Sequence, residues 1–403
     1  MEALNFSLRS RLRPISVEGY RRAARRALPD MVWNYVDGGA DGMVTLTENR
    51  VAFLKWRLRQ RCLTGLSKPD LSTTMAGQEV SLPIALAPTG LSGLARWDAD
   101  IAAARAAEAA GTRLVLSTGS SWSLEEVAAS TARSHWFQLY PFGDHAKVGE
   151  LLRRAEAAGY GALFVTVDVP VRGNREGERE SGMSIPLTFT PASLLDAASR
   201  PRWCLGLRHN RTAAVHYAQA GARGVAGAVA SAAAQERHMQ GDLCWDDLAW
   251  LRDRWKGPLY VKGVLDPEDA ARAVHSLGAE GVVVSNHGGR QLDQTLSTLD
   301  ALPAIVNRLG GRGEVYLDGG VRRGTDVIIA LALGARGVFV GRPYLYGAAA
   351  DGEQGVLDIL RILREDMVRA MILMGCPSVE ALDPSWITPA NRPSPGVPQN
   401  QEA

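Results

Sequence analysis

The chain has 403 residues, 46% of them hydrophobic, and a formal net charge of +2. That length and apolar content can bury a large core, and the near-neutral charge gives no global field to favour nucleic acid or a strongly anionic partner. The four cysteines, Cys62, Cys204, Cys244 and Cys376, form no CxxC pair, which argues against a zinc site or disulfide scaffold and suits a reducing compartment. No metal is expected.

From Met1 to Arg13 no apolar run of a secretory signal is visible, and no later stretch is long enough to cross a bilayer. A cytoplasmic location is expected, with the inner face of a membrane as the alternative. Arg9, Arg11, Arg13, Arg21, Arg22, Arg25 and Arg26 crowd the N-terminal segment. A solvated helix face explains them more simply than a patch for an anionic surface.

The first eighty residues or so read as a helical and extended preamble, expected to cap the remainder of the fold. Eight short apolar runs then read as strands: Pro83–Ala87, Arg113–Ser117, Trp136–Tyr140, Leu163–Asp168, Leu259–Val264, Gly281–Ser285, Glu314–Leu317 and Gly337–Gly341. Each is nearly continuous in apolar residues, as parallel strands covered on both faces are. Helix-like stretches between them stop at glycines: Asp98–Ala110 before Gly111, Ala146–Ala158 before Gly159, Asp266–Leu277 before Gly278 and Thr325–Leu333 before Gly334. A glycine just past the last turn takes the left-handed conformation at little cost. Ser123-Leu124-Glu125-Glu126 and Asp266-Pro267-Glu268-Asp269 read as helix starts. The repeat predicts an α/β fold, a (β/α)8 TIM barrel with an N-terminal helical cap.

One unit is too long. Trp245–Trp255 reads as the helix before the fifth strand, so residues 171–244 are an insertion after strand 4, on the side where such barrels place their chemistry. Ala218–Ala234 within it is rich in Ala, Gly and Ser, as mobile segments are. Residues 389–403, rich in Pro, Asn and Gln, are expected to be a disordered tail, leaving 1–388 as a single unit.

Chemistry belongs at the strand ends. The sixth strand ends in Ser285-Asn286-His287-Gly288-Gly289-Arg290-Gln291-Leu292-Asp293, and packing explains a His before two glycines and an Arg poorly. The fourth ends in Thr166-Val167-Asp168, then Gly173-Asn174-Arg175-Glu176. An acid there could orient His287 and stabilise its protonated form. Arg175 and Arg290 could clamp a carboxylate, although an ion pair of Arg175 with Glu176 or Glu178 is the plainer alternative. Strands seven and eight end in Asp318-Gly319-Gly320-Val321-Arg322-Arg323 and Gly341-Arg342-Pro343. Glycine N–H groups with Arg at these two places form the usual phosphate site of such barrels. Neither a GxGxxG after a strand nor a GxxxxGK[ST] occurs, so a Rossmann site and a P-loop are unsupported. Lys262, inside an apolar strand, is costly to bury unless it faces an anion.

These residues resemble the FMN-dependent L-2-hydroxy-acid oxidising family, which includes glycolate oxidase, lactate oxidase and mandelate dehydrogenase. The resemblance runs from about Ile15 to Ile387, and the SNHGGRQLD and LDGGVRRGTD stretches are highly specific to it. The mandelate dehydrogenase branch is the most similar, through Met31-Val32-Trp33-Asn34-Tyr35, Ala87-Pro88-Thr89-Gly90-Leu91 and Pro201-Arg202-Trp203. The resemblance implies oxidation of a 2-hydroxy acid to the 2-keto acid, with His287 as base and Asp168 as its partner. It implies that Arg175 and Arg290, helped by Tyr35, bind the carboxylate, and that Tyr140 bonds near the substrate hydroxyl. Thr89, Gly90, Ser117, Gln138, Thr166, Lys262 and Ser285 match positions lining the flavin, whose N1/O2 edge would give Lys262 its anion. Asp318, Gly320, Arg322, Gly341 and Arg342 match the ribityl and phosphate end. Oxygen or a quinone would reoxidise the flavin, and a homotetramer is the usual assembly.

The departures bear on specificity. Gly119 stands where glycolate oxidases have Trp, and Gly90 where they have Ala, which predicts room for a bulky, mandelate-like side chain. Arg172 holds a position that is apolar or amide in relatives, facing either substrate or solvent. Glu180-Ser181-Gly182-Met183 replaces an Arg-Asn-x-Phe-like element. In the insertion, Leu194, Leu195, Trp203, Leu205 and Leu207 lie beside Arg200, Arg202, Arg208 and Arg211, a mixture open to three readings: peripheral membrane contact, a disordered loop or a subunit contact. Two other functions compete. An FMN-barrel isomerase has no need of two arginines beside a His–Asp pair, and a non-catalytic flavin-binding protein has no need to keep His287 or Arg290.

Overall fold

The computed structural model describes residues 13–141, 144–183, 187–216 and 243–390. Eight parallel strands form its centre: β1 (Ile84–Leu86), β2 (Val115–Ser117), β3 (Trp136–Leu139), β4 (Leu163–Thr166), β5 (Leu259–Val264), β6 (Gly281–Val284), β7 (Glu314–Asp318) and β8 (Gly337–Val340). They pair in the order β1-β8-β7-β6-β5-β4-β3-β2. A parallel bridge between Leu86 and Leu114 closes the ring, with Leu86 N–H donating to the Arg113 carbonyl at 2.9 Å. All eight predicted runs are strands of this TIM barrel.

Period-two alternation explains why the runs look continuously apolar. In β4, Leu163 and Val165 join the layer shared with the outer helices, while Phe164 points into the barrel. There Phe164 stacks with Tyr260 and meets Trp136 and Phe339, and Tyr316 stacks on Phe339. The interior is a packed aromatic core. Gly111, Gly159, Gly278 and Gly334 all take positive φ at the predicted stops. Ser123 and Glu126 form a reciprocal capping box, and Asp266 caps the helix that begins at Pro267. One expectation needs correction: 266–277 is not uniformly α-helical, because it widens to a π-helix over Arg272–Ser276.

The preamble divides between the two ends of the barrel. Helices Val17–Ala27, Asp30–Asp37 and Val44–Val51 lie towards the C-terminal strand ends. Arg13, Arg21 and Arg25 pair with Asp358, Asp37 and Asp30 respectively. Tyr20 and Tyr346 hydroxyls donate to Asp358 and Asp37. The hairpin of Thr73–Met75 and Gln78–Val80 closes the opposite end. Ala76 N–H donates there to the Tyr316 hydroxyl at 2.7 Å and to Glu314 at 3.2 Å, while Tyr260 donates to the same Glu314 oxygen.

The first part of the insertion folds back onto the loops after β1 and β2. Trp203 Nε1 donates to the Leu94 carbonyl at 2.7 Å, and His209 stacks on Trp97. Arg211 lies over Trp122 and pairs with Glu126. The predicted helix before β5 spans Trp245–Arg254. Ala218–Ala234 lies outside the described residues, as do 391–403. Pro389, read as the first residue of the tail, instead pairs with Trp56 in a short antiparallel sheet. Among the described residues no helix is long and apolar enough to cross a membrane.

Candidate active site

The strand ends surround one cavity, and the loop after β6 delivers its central group. His287, Gly288 and Gly289 all have positive φ (57°, 66° and 74°), which turns the chain sharply and points the imidazole inward. A β-like exit would carry the ring away, and only the two glycines take this conformation without strain. His287 Nδ1 lies 3.0 Å from Asp168 Oδ1, at the end of β4, and Nε2 lies 3.5 Å from the Tyr140 hydroxyl. With Asp168 ionised, Nδ1 carries the proton and Nε2 keeps its lone pair facing the cavity.

The electrostatics agree with that tautomer. Burial lowers the His287 pKa below the ordinary value, although Asp168 opposes the shift. Burial alone would raise Asp168, but His287 and Lys262 outweigh it and hold the carboxylate below its usual range. The result is a neutral imidazole beside a carboxylate, poised to accept a proton. Burial also raises the Tyr140 hydroxyl, which stays protonated. Lys262 is held by Asp318 at 3.0 Å and donates to Ser285 Oγ at 2.8 Å. Burial would lower its pKa, but Asp318 and Asp168 outweigh that and keep the ammonium charged.

Arg175 and Arg290 converge on the same cavity, together with Arg172 and Tyr35. Between the guanidinium groups sits Glu178, whose side chain is 1% exposed. Its Oε1 accepts from Arg290 at 2.7 Å and lies 3.5 Å from Arg175, while Oε2 accepts from Arg172 at 2.9 Å. The Glu178 ion pair and the cavity-lining role of Arg175 therefore coexist. Glu176 is exposed and, among the described residues, accepts a bond from Asn174 and pairs with no arginine. Burial and the neighbouring Arg290 bring the Arg175 pKa down to about 10. Tyr35 lines the cavity and donates its hydroxyl proton to the Gly90 carbonyl at 2.9 Å.

At the other end of the cavity are Gly319, Gly320, Arg322, Gly341 and Arg342. Asp326 accepts from the Arg322 and Arg323 N–H groups and fixes that loop. Arg342 donates to the Gly288 and Gly38 carbonyls, while its Nε is buried without a partner among the described residues. Burial and the neighbouring Arg290 lower its pKa to about 10.

Eight of the twelve positions matched to the flavin line the cavity: Thr89, Gly90, Lys262, Asp318, Gly320, Arg322, Gly341 and Arg342. Ser117, Gln138, Thr166 and Ser285 instead form a polar layer at the strand ends beneath it, with Ser117 Oγ donating to Gln138 at 2.9 Å. Gln138 Nε2, Thr166 Oγ1 and Asp318 Oδ1 are buried there with no partner among the described residues. Unmatched buried polar atoms beside an anion-ready end fit a long, polar, phosphate-bearing cofactor.

Gly90 and Gly119 stand back to back. A Cβ on Gly119 would lie 3.2 Å from the Gly90 Cα, and one on Gly90 would meet Gly119 and Tyr35 only at 3.6 Å and beyond. The sequence left two contributors unrecognised, Gln291 and Tyr344, and offered Glu178 only as an ion-pair partner of Arg175. Glu178 had one signal, its position one helical turn after Arg175. Gln291 ties the loops together, donating to the Asp168 and Val171 carbonyls and accepting from Arg175. Tyr344 shares a short hydrogen bond with Thr89. Only their spatial partners reveal these last two.

Comparison with known proteins covers nearly the whole chain. The sequence profile described as FMN-dependent dehydrogenase matches residues 24–389. An L-lactate dehydrogenase of Caulobacter vibrioides is 45% identical over 373 residues, covering 91% of this chain and 96% of its own. An L-lactate oxidase of Nostoc sp. is 41% identical over 93% of this chain and 98% of its own. The crystal structure of (S)-mandelate dehydrogenase, described as a monotopic membrane protein, superposes with a TM-score of 0.89 at 37% identity, over 94% of this chain and 100% of that one.

Proposed function

The chain belongs to the FMN-dependent dehydrogenase family, and from that membership we propose that its cavity oxidises an L-2-hydroxy acid with a side chain larger than a methyl group. It is an FMN-dependent enzyme of 2-hydroxy-acid oxidation, as its relatives are. The flavin, when bound, supplies the acceptor for the two electrons leaving the substrate.

The protein's own groups do the rest. Gly319, Gly320, Gly341, Arg322 and Arg342 would hold the phosphate, and Lys262 would face the flavin's anionic edge. Arg175 and Arg290 bind the substrate carboxylate, which fixes the carbinol carbon relative to His287. Nε2 of His287 takes the proton the substrate gives up, and Asp168 stabilises the imidazolium that forms. Tyr140, within 3.5 Å of Nε2, holds the substrate oxygen. The observation that carries this reading is the convergence of His287, Arg175 and Arg290 on one cavity. An isomerase or a silent flavin-binding protein gives no reason for that set.

Gly90, which lines the cavity with the equally bare Gly119 behind it, supports a bulky, mandelate-like side chain. Anaerobic mixing of the purified holoenzyme with L-lactate, L-mandelate, 4-hydroxymandelate and glycolate is the test. Bleaching of the flavin absorbance is expected, most strongly with the larger acids. No bleaching by any of them overturns the reading, and bleaching by glycolate alone overturns its bulky part. Readmitting air separates oxygen from a quinone as the acceptor. Leu194, Leu195 and Leu205 are exposed beside Arg202 and Arg208, which supports peripheral membrane contact through the insertion. Failure to bind anionic lipid vesicles removes that part alone.

A further inference from the structure

Binding one carboxylate takes two arginines, yet three stand at the His287 end of this cavity, apart from Arg322 and Arg342 at its glycine-rich end. Arg172 lines it together with Tyr140, Arg175, His287 and Arg290. It is held in place by one bond to Glu178 Oε2, and its other donors have no partner among the described residues. Its side chain is 28% exposed, which places it at the mouth, while Arg175 and Arg290 are 13% and 14% exposed and lie deeper.

The charges there do not balance. Glu178 is the carboxylate shared by all three guanidinium groups, so the cluster carries two unmatched positive charges. Asp318, which lines the cavity, is held by Lys262, and Asp168 accepts from His287, so neither carboxylate bonds a guanidinium group of this cluster. The carboxylate of a 2-hydroxy acid, seated on the deep pair, matches one of those charges. The other remains as the excess of the cluster, whose outermost member, Arg172, is only partly desolvated and has donors left for a second anion. A substrate whose carboxylate sits on the deep pair would extend its side chain towards the mouth, where Arg172 lies.

We propose that the substrate is a 2-hydroxy dicarboxylic acid, and that Arg172 binds the carboxylate at the far end of its side chain. This rests on the 2-hydroxy-acid reading above and replaces its mandelate-like side chain with an acidic one. The side chain is then large because it is extended and acidic. Arg172 sets specificity by offering charge-assisted hydrogen bonds that an alkyl or aryl terminus leaves unmade.

The test uses the holoenzyme and anaerobic flavin reduction with (S)-2-hydroxyglutarate, (S)-2-hydroxyhexanoate of similar length, and (S)-lactate. The diacid should reduce the flavin with the largest second-order rate constant. Arg172→Gln should lower that constant by about tenfold to a hundredfold and leave the two monoacids within about threefold, because one charge-assisted contact is lost. Arg172→Lys should restore part of it. Flavin reduction that favours hydroxyhexanoate in the unaltered enzyme overturns the proposal and leaves the oxidase reading intact. Equal losses on all three acids also overturn it, since they mark Arg172 as a brace for Glu178. Reduction by none of them, nor by the aromatic acids, removes the oxidase reading and this proposal together.

Discussion

The carboxylate of Asp168 occupies the space that a side chain on Gly263 would fill: a Cβ there would stand 2.5 Å from Asp168 Cγ. Gly263 also has φ +105°, and the register of β5 with β6 shifts between Lys262 and Val264. One irregularity therefore points Lys262 at the cavity and clears the seat of the acid that orients His287. Gly263→Ala should lower kcat by at least about tenfold through a displaced Asp168, on the scale expected of small misplacements. Unchanged kcat with unchanged flavin content would show that the backbone yields.

His287→Gln should lower kcat by about a hundredfold to ten-thousandfold while the protein still purifies with its flavin, the loss expected of a missing base. Because burial favours the neutral imidazole, kcat/KM should stay level as pH falls to the ordinary histidine range and drop only below it. Asp168 raises the His287 pKa, so Asp168→Asn should push that acid limb lower still while reducing kcat. An acid limb above the ordinary histidine value would contradict this assignment.

Glu178→Ala removes the carboxylate from among three guanidinium groups. Breaking a buried pair of this kind costs about 3–5 kcal/mol, read as a lower Tm. Added sulfate should raise the Tm of the variant more than that of the unaltered enzyme, since it replaces the missing anion. Equal responses would mean that the arginines disperse to solvent.

Asp100 is buried and accepts from Ser92 Oγ and from the Ser121 and Trp122 N–H groups, pinning the loop after β2. Burial raises its pKa to about 6 against those bonds. The folded state then binds the proton more tightly than the unfolded chain. Stability should fall as pH rises from the ordinary aspartate range to about 6, and level off above it. Asp100→Asn should lose that slope. At neutral pH, Asp100→Ala should still lower Tm, because three donors lose their acceptor at about 1–3 kcal/mol for each one left unsatisfied.

The eight strands were legible because a strand covered on both faces must be apolar throughout, and Leu163-Phe164-Val165 shows both faces at once. His287, Asp168 and the two arginines were legible because their loops carry glycines and charges that packing does not explain. The role of Thr73–Val80 was not. Its partners, Glu314 and Tyr316, lie some 240 residues away, so the segment looked like part of one cap when it closes the far end. Glu178 was half-legible: its spacing from Arg175 suggested a pair, but nothing local pointed to Arg290, which arrives from β6.

That distant closure has a kinetic consequence. With Ala76 and the packed aromatic core closing the far end among the described residues, the hydroxy acid, the departing keto acid and the oxidant are expected to share the way in at the C-terminal strand ends. Traffic in one lane must alternate. The first product leaves before the second reactant arrives, and reciprocal initial-rate lines at several oxidant concentrations should run parallel.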